Sequence, residues 1–455
     1  MFRAAIICAL IAGLQCAQIT NLPGAPSVSF NQYSGFVQAS STRYLHYWFV
    51  ESQRAPSTDP LILWLNGGPG CSSVGGFLTE LGPFQVNPDG ATLRLNQYGW
   101  NMQANVVALE APAGVGYSYS TNSDVSSNDN RTATENYAAL KNFFAAFPQY
   151  RTNDFYVMGE SYGGVYVPTL VQTILDNQAG FNIKIKGFSI GNGCVSANLG
   201  VDSIVQFVYN HGLVDEQKWQ QAKTQCCNNQ IDGCAFHTFT GNGFCPNFAN
   251  DAQNLAWNSG INPYGLYQDC HTAIRAEDAI QTRYHVDLQQ RFGKSINEIQ
   301  AENGNVLAAI PCLNETAVTN YMNLATVRAA MSIPSVVGKW SFCSTPVNFA
   351  YTRSLSEMQS RVQYAIKSGL RGVIYNGDTD MACNFLMSQR FSATLGLTEK
   401  VSKKLFHVDG QVAGTYTAYN GLEFYTVRGA GHMVPTDKPS VSYHILQSFL
   451  NQRAP

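Results

Sequence analysis

Short apolar, β-branched runs recur at residues 44–50, 61–65, 106–109, 155–158, 183–190, 372–375 and 422–427. Most end in Gly, Asn or Asp, as buried strands do where they feed functional loops. Helical periodicities lie between several of them. Residues 135–147 set Tyr137, Leu140, Phe143, Phe144 and Phe147 on one face and stop before Pro148, which cannot continue a helix. Residues 162–176 are a second helix candidate, with Pro168 inside it. Strands alternating with helices predict an α/β fold on a mostly parallel central sheet flanked by helices.

From about residue 195 to 361 this rhythm fades. Polar, helix-compatible stretches such as 277–302 replace it, and six cysteines from Cys226 to Cys312 fall there. The strands that follow are too few to form a sheet alone. The segment therefore reads as an insertion between two sheet strands, a disulfide-bearing cap over the catalytic face, rather than as separate second and third domains. The expected organisation is a leader at 1–17, core at 18–194, cap and return segment at 195–361, and core again at 362–455.

The chain starts with Arg3, an apolar run over residues 4–14, and small residues. That run is shorter than the roughly 20 residues needed to cross a bilayer. It fits a secretory signal peptide cleaved between Cys16 and Gln18. No later stretch is apolar enough to anchor the chain in a membrane, so an exported, soluble protein is expected, lysosomal or extracellular. Export changes the reading of the cysteines. Of twelve, Cys8 and Cys16 leave with the leader, and ten remain as disulfide candidates rather than metal ligands. The 226–245 cluster lacks paired CxxC spacing and holds only His237, so no zinc site is expected. The sequons at Asn130 and Asn314 suit glycosylation on the same route. Lys and Arg total 28 against 30 Asp and Glu, with no basic run among aromatics, so no nucleic-acid partner is expected.

Candidate chemistry gathers where strands end. Gly159-Glu160-Ser161-Tyr162-Gly163 matches G-x-S-x-G between a strand and a helix, the setting this motif requires. A turn so tight strains the serine and leaves little room for side chains at 159 and 163. It also puts Ser161 near a helix N-terminus, where N–H groups can meet an oxyanion. A serine nucleophile needs a base and an orienting carboxylate, which on α/β-hydrolases follow in the order Asp or Glu, then His. The 373–375 strand leads into Asn376-Gly377-Asp378-Thr379-Asp380, and the 422–427 strand leads towards Gly429-Ala430-Gly431-His432. Pattern alone does not separate Asp378 from Asp380. After the 61–65 strand comes Asn66-Gly67-Gly68-Pro69-Gly70-Cys71. It lacks both the Gly-Lys-Ser/Thr ending of a phosphate loop and the GxGxxG of a dinucleotide site. Its backbone N–H groups can approach a substrate closely, as an oxyanion loop must.

Segments 64–73, 159–168, 376–384 and 429–435, with 101–119 and 312–331, together resemble the serine carboxypeptidase family over essentially the whole mature chain. That resemblance implies an α/β-hydrolase fold and a triad of Ser161, Asp380 and His432. It implies oxyanion donors at the N–H groups of Gly68 and Tyr162. It assigns the substrate's C-terminal carboxylate to Asn66, the Gly67 backbone, Glu80 and Glu160, framed by Trp64. It further implies the disulfides Cys71–Cys343, Cys226–Cys245, Cys227–Cys234 and Cys270–Cys312. Cys194 and Cys383 are then free, with Cys383 near the site and open to mercurials. Peptide or protein C-termini are the implied substrates, no metal or organic cofactor is required, and a homodimer is implied. Acyltransferases, esterase chemistry and a protein that shields lysosomal glycosidases also belong to this family and stand as alternatives. If Glu80 and Glu160 lie side by side, repulsion keeps one protonated, and that acid can pair with a carboxylate. Exopeptidase activity is then best at acidic pH and weakens towards neutrality.

Overall fold

The computed structural model describes residues 14–270 and 312–452. Residues 1–13 of the expected 1–17 leader and the 277–302 segment lie outside the described residues, while Leu14–Gln18 pair in the sheet. The apolar runs become the middle of one large sheet. Its strands are β1 (Leu14–Gln18), β2 (Gln32–Gln38), β3 (Arg43–Val50), β4 (Leu61–Leu65), β5 (Asn105–Leu109) and β6 (Phe155–Glu160). They continue with β7 (Ile185–Gly191), β8 (Arg371–Gly377), β9 (Glu399–Val408), β10 (Gln411–Tyr419) and β11 (Leu422–Val427). The spatial order is β1-β2-β3-β5-β4-β6-β7-β8-β11-β10-β9. From β5 to β11 the pairings are parallel, and both margins are antiparallel.

β4 shows why the middle strands read as unbroken apolar runs. Leu61, Leu63 and Leu65 enter one core layer with Phe143 and Tyr166, while Ile62 and Trp64 enter the opposite layer with Trp48, Phe77 and Trp100. A strand buried on both faces has no polar side to alternate with. The margin is different. β9 is exposed at most positions and carries Lys400, Lys403 and Lys404, charges that discourage edge-to-edge pairing. No apolar rhythm announces it.

The first long helix, α1 (Asp129–Ala146), starts six residues before the expected 135. The Asn128 side chain accepts the Arg131 N–H at 2.9 Å, and Asp129 occupies the first turn. A cap and an acidic first turn extend the helix past its apolar stripe. α2 (Gly163–Asp176) follows β6 directly and is buried along most of its length.

β7 and β8 are neighbours in the sheet, although residues 192–370 separate them in sequence. In that interval α3 (Ala197–Asn210), α4 (Glu216–Gln225) and α5 (Phe244–Trp257) build an apolar core of their own. Val205, Phe207, Trp219, Phe248 and Trp257 fill it, and Met381 from the loop after β8 packs into it. Cys226–Cys245 and Cys227–Cys234 staple these helices, and Cys71–Cys343 and Cys270–Cys312 tie the return segment.

A fifth disulfide corrects the sequence reading. Cys194 and Cys383, expected as free thiols, are bonded. Cys194 follows β7 and Cys383 follows β8, so the neighbouring strands bring their Cα atoms to 5.1 Å, within bonding range. A bonded Cys383 offers no thiol to a mercurial, and that expectation falls with it.

Phe143 is 3% exposed and meets the rings of Tyr47, Phe49, Phe144 and Phe147. Phe143→Ala is expected to cost about 3–5 kcal/mol of stability, read as a lower denaturant midpoint with near-normal turnover per folded molecule.

Candidate active site

Ser161, Asp380 and His432 each sit at the C-terminal end of a parallel strand or in the loop beyond it. Ser161 turns the chain from β6 into α2 with φ +60°, a left-handed conformation that costs a non-glycine residue energy. Three backbone bonds hold it. The Ser161 N–H donates to Gly191 O at 3.1 Å, and Ser161 O accepts the N–H groups of Gly164 at 2.9 Å and Cys194 at 3.0 Å. Gly159 leaves room for this turn, since a Cβ there would lie 2.5 Å from Leu65 O.

The glycine-rich loop after β4 packs against the same turn. A Cβ on Gly67 would lie 2.3 Å from Tyr162 N and 2.7 Å from the Ser161 Cβ. Only a bare backbone can come so close. Among the described residues, the N–H groups of Gly68 and Tyr162 donate to no protein acceptor. Two unpaired donors beside a serine hydroxyl suit an oxygen that gains charge.

The loops after β8 and β11 supply the acid and the imidazole. Asp380 is fully buried, and its Oδ2 lies 2.8 Å from His432 Nδ1. The same oxygen accepts Asn192 Nδ2 at 2.9 Å and the Cys383 N–H at 3.2 Å, while Oδ1 accepts the Ala382 N–H at 2.9 Å. A proton on Nδ1 facing the carboxylate leaves Nε2 with the lone pair. Nε2 is buried and without a partner among the described residues, so no hydrogen bond to Ser161 is formed. Such bonds are often long until substrate is bound. Asp378 faces elsewhere and accepts the Gly429 N–H at 2.7 Å. Geometry thus separates the two aspartates: one holds the histidine loop, the other the histidine ring.

Tyr264, from the segment after α5, completes the wall. Its carbonyl accepts the His432 N–H at 2.7 Å, and its ring lies 5.0 Å from the imidazole. The sequence reading missed Tyr264, and no local pattern signals it. It missed Asn192 as well, although an Asn between two glycines at the end of a buried strand is a usable cue.

On the other side of Ser161 lies a second buried cluster. Glu160 ends β6 and Glu80 sits in the helical turn Phe77–Leu81. Both are at most 4% exposed. Asn66 Nδ2 donates to Glu160 Oε1 at 2.8 Å and reaches Glu80 Oε1 at 3.4 Å, while Asn66 Oδ1 accepts Trp64 Nε1 at 2.6 Å. Loss of hydration raises both carboxyls, Glu80 to about 7. Glu160 rises well above the usual carboxyl range, first through burial and then through the charge of Glu80. The remaining oxygens, Glu80 Oε2 and Glu160 Oε2, have no partner among the described residues. Burial and the neighbouring carboxylate both disfavour a second charge here, so one of the two carboxyls keeps its proton more readily than a free one.

A strained serine, a carboxylate-held imidazole and unpaired N–H groups, each placed by a parallel strand, define a serine hydrolase of the α/β-hydrolase fold. Comparison with known proteins narrows the class. A family model described as serine carboxypeptidase matches residues 23–452. The chain is 39% identical over 452 residues to the lysosomal protective protein of Mus musculus, covering 96% of this chain and 94% of that one. It is also 39% identical to a serine carboxypeptidase of Caenorhabditis elegans, covering 96% and 93%. A prohormone-processing carboxypeptidase from Saccharomyces cerevisiae shares the fold, with TM-score 0.73, 23% identity and coverage of 95% and 94%. The chain belongs to the serine carboxypeptidase family and is a serine-type carboxypeptidase.

Gly67→Ala is expected to push the Tyr162 N–H and Ser161 apart. Turnover should fall about 10²–10³-fold, the usual cost of a lost oxyanion donor, measured as kcat on an ester and on a peptide.

Proposed function

We propose that Ser161 attacks the carbonyl of the last peptide bond and carries the acyl-enzyme, releasing single C-terminal residues. His432 takes the serine proton through Nε2 and returns it to the leaving amine; Asp380 orients the ring. The oxyanion rests on the N–H groups of Gly68 and Tyr162. Glu80, Glu160, Asn66 and the Gly67 backbone hold the substrate's terminal carboxylate, with Trp64 fixing the Asn66 carboxamide. The observation that carries this reading is the pair of buried glutamates bridged by the Asn66 carboxamide, each carboxyl raised by burial. An acid that keeps its proton towards neutrality can donate to a carboxylate. It also explains why the site would take chain ends, since an internal peptide bond offers it nothing to bind.

The pH sign follows. Below the raised values the pair holds a proton and welcomes an anionic chain end. As pH climbs through about 7 the pair loses it and repels the same group. We therefore infer an enzyme that works best in acid. Stability follows the same sign: a carboxyl raised by folding contributes fully below its unfolded value, and that contribution is lost as pH rises through its folded one. Secretory routing, ending in the lysosome or outside the cell, fits this chemistry. It is supported by the leader-like start, by five disulfides among the described residues and by sequon residues Asn130 and Asn314, both exposed.

Steady-state kinetics of Glu160→Gln and Glu80→Gln test the pairing. Each variant is expected to raise KM for free peptides several-fold in acid, about 1 kcal/mol for an altered hydrogen bond to a charged group. Each should also flatten the climb of KM with pH, leaving amidated substrates little changed. A wild-type-like climb in both variants would remove the pair from substrate binding.

A further inference from the structure

The roles assigned so far leave out one loop that touches both halves of the catalytic machinery. It is the turn Gly191-Asn192-Gly193-Cys194, where the chain leaves β7 for the cap. Towards the nucleophile, Gly191 O accepts the Ser161 N–H at 3.1 Å and the Cys194 N–H donates to Ser161 O at 3.0 Å. The fit is close, since a Cβ on Gly164 would lie 2.8 Å from Cys194 N. Towards the acid, the Asn192 N–H donates to Tyr375 O at 2.8 Å, and Asn192 Oδ1 accepts the Gly377 N–H at 3.1 Å. Asn192 Nδ2 donates to Asp380 Oδ2 at 2.9 Å. The Cys194–Cys383 disulfide closes the turn onto the loop that carries Asp380.

We propose that this turn registers the nucleophile against its base, and that Asn192 is the positioning residue through which it acts. Asn192 is fully buried and sits at φ +39°, a left-handed backbone that Asn adopts more readily than most residues. Both ends of its carboxamide are bonded, so the side chain has one orientation. Its amide and the His432 ring donate to the same oxygen of Asp380. A buried carboxylate that loses a donor turns to recover hydrogen bonds elsewhere, and the imidazole turns with it. Misplacement of a reacting group by about 1 Å costs on the order of 10²-fold in rate. The backbone bonds to Ser161 carry any shift of the turn to the nucleophile as well. Asn192 touches neither the substrate carboxylate cluster nor the oxyanion donors, so its loss acts on turnover and not on binding.

This inference rests on the assignment of Ser161, His432 and Asp380 given above, and the test separates the two. Asn192→Gly keeps the left-handed backbone and deletes both side-chain bonds. Asn192→Asp keeps the shape and the acceptor for the Gly377 N–H, but sets an acceptor against Asp380. Asp380→Ala serves as the reference. For folded protein checked by thermal unfolding, kcat on a free peptide and on an ester is expected to fall at least about tenfold in Asn192→Gly and further in Asn192→Asp. KM should stay within about twofold in both. If Asp380→Ala is inactive while both Asn192 variants keep their kcat, or lose activity through KM alone, the positioning role is overturned. If Asp380→Ala keeps full activity, the assignment beneath it is overturned. If Asn192→Gly does not fold, the kcat of Asn192→Asp decides.

Discussion

Two carboxyl groups buried against each other cannot both be charged. Two unit charges about 4 Å apart repel by about 4 kcal/mol at an effective dielectric of about 20, worth roughly three pKa units. Glu80 and Glu160 escape that penalty when one of them stays protonated, as their raised carboxyls favour. Asn66 gives each carboxyl a donor, and Trp64 holds Asn66 in place. Gly76 leaves space for this, since a Cβ there would lie 2.3 Å from Asn66 Oδ1. In the proposed reading, the acid pair turns a general acyl-transfer site into one that recognises a chain end.

The sheet makes the arrangement affordable. β4 and β6 are parallel neighbours, so Asn66 beyond one and Glu160 at the end of the other come side by side without a special loop. β7 and β8 do the same for Asn192 and Asp380. Ser161 stands between the two clusters, with the Asp380–His432 pair in one and the buried glutamates in the other. In the proposed reading, the adjacent residues Glu160 and Ser161 serve the terminal carboxylate and the neighbouring scissile carbonyl respectively.

Much of this was legible before the structure. Leu61–Leu65 and Leu422–Val427 have the bounds their apolar runs predicted, because burial on both faces leaves a continuous signal. What escaped depends on partners distant in sequence. β9 is polar because it is an edge, and its place comes from pairing with β10 rather than from any period of its own. Asp378 and Asp380 are alike as letters and differ only in what faces them. Tyr264 reaches His432 from the cap across a long interval. The Cys194–Cys383 bond follows from β7 lying beside β8, a fact of sheet order that spacing does not encode.

The most direct test follows the products. Protein and its Ser161→Ala variant are incubated with matched peptides bearing free or amidated C-termini, at mildly acidic and mildly alkaline pH, and analysed by mass spectrometry. The account predicts stepwise loss of single C-terminal residues by active protein alone. Loss from free peptides should be fast in acid and slow in base, with a much smaller change for amidated ones. Internal cuts, or free and amidated peptides that respond to pH alike, would contradict it.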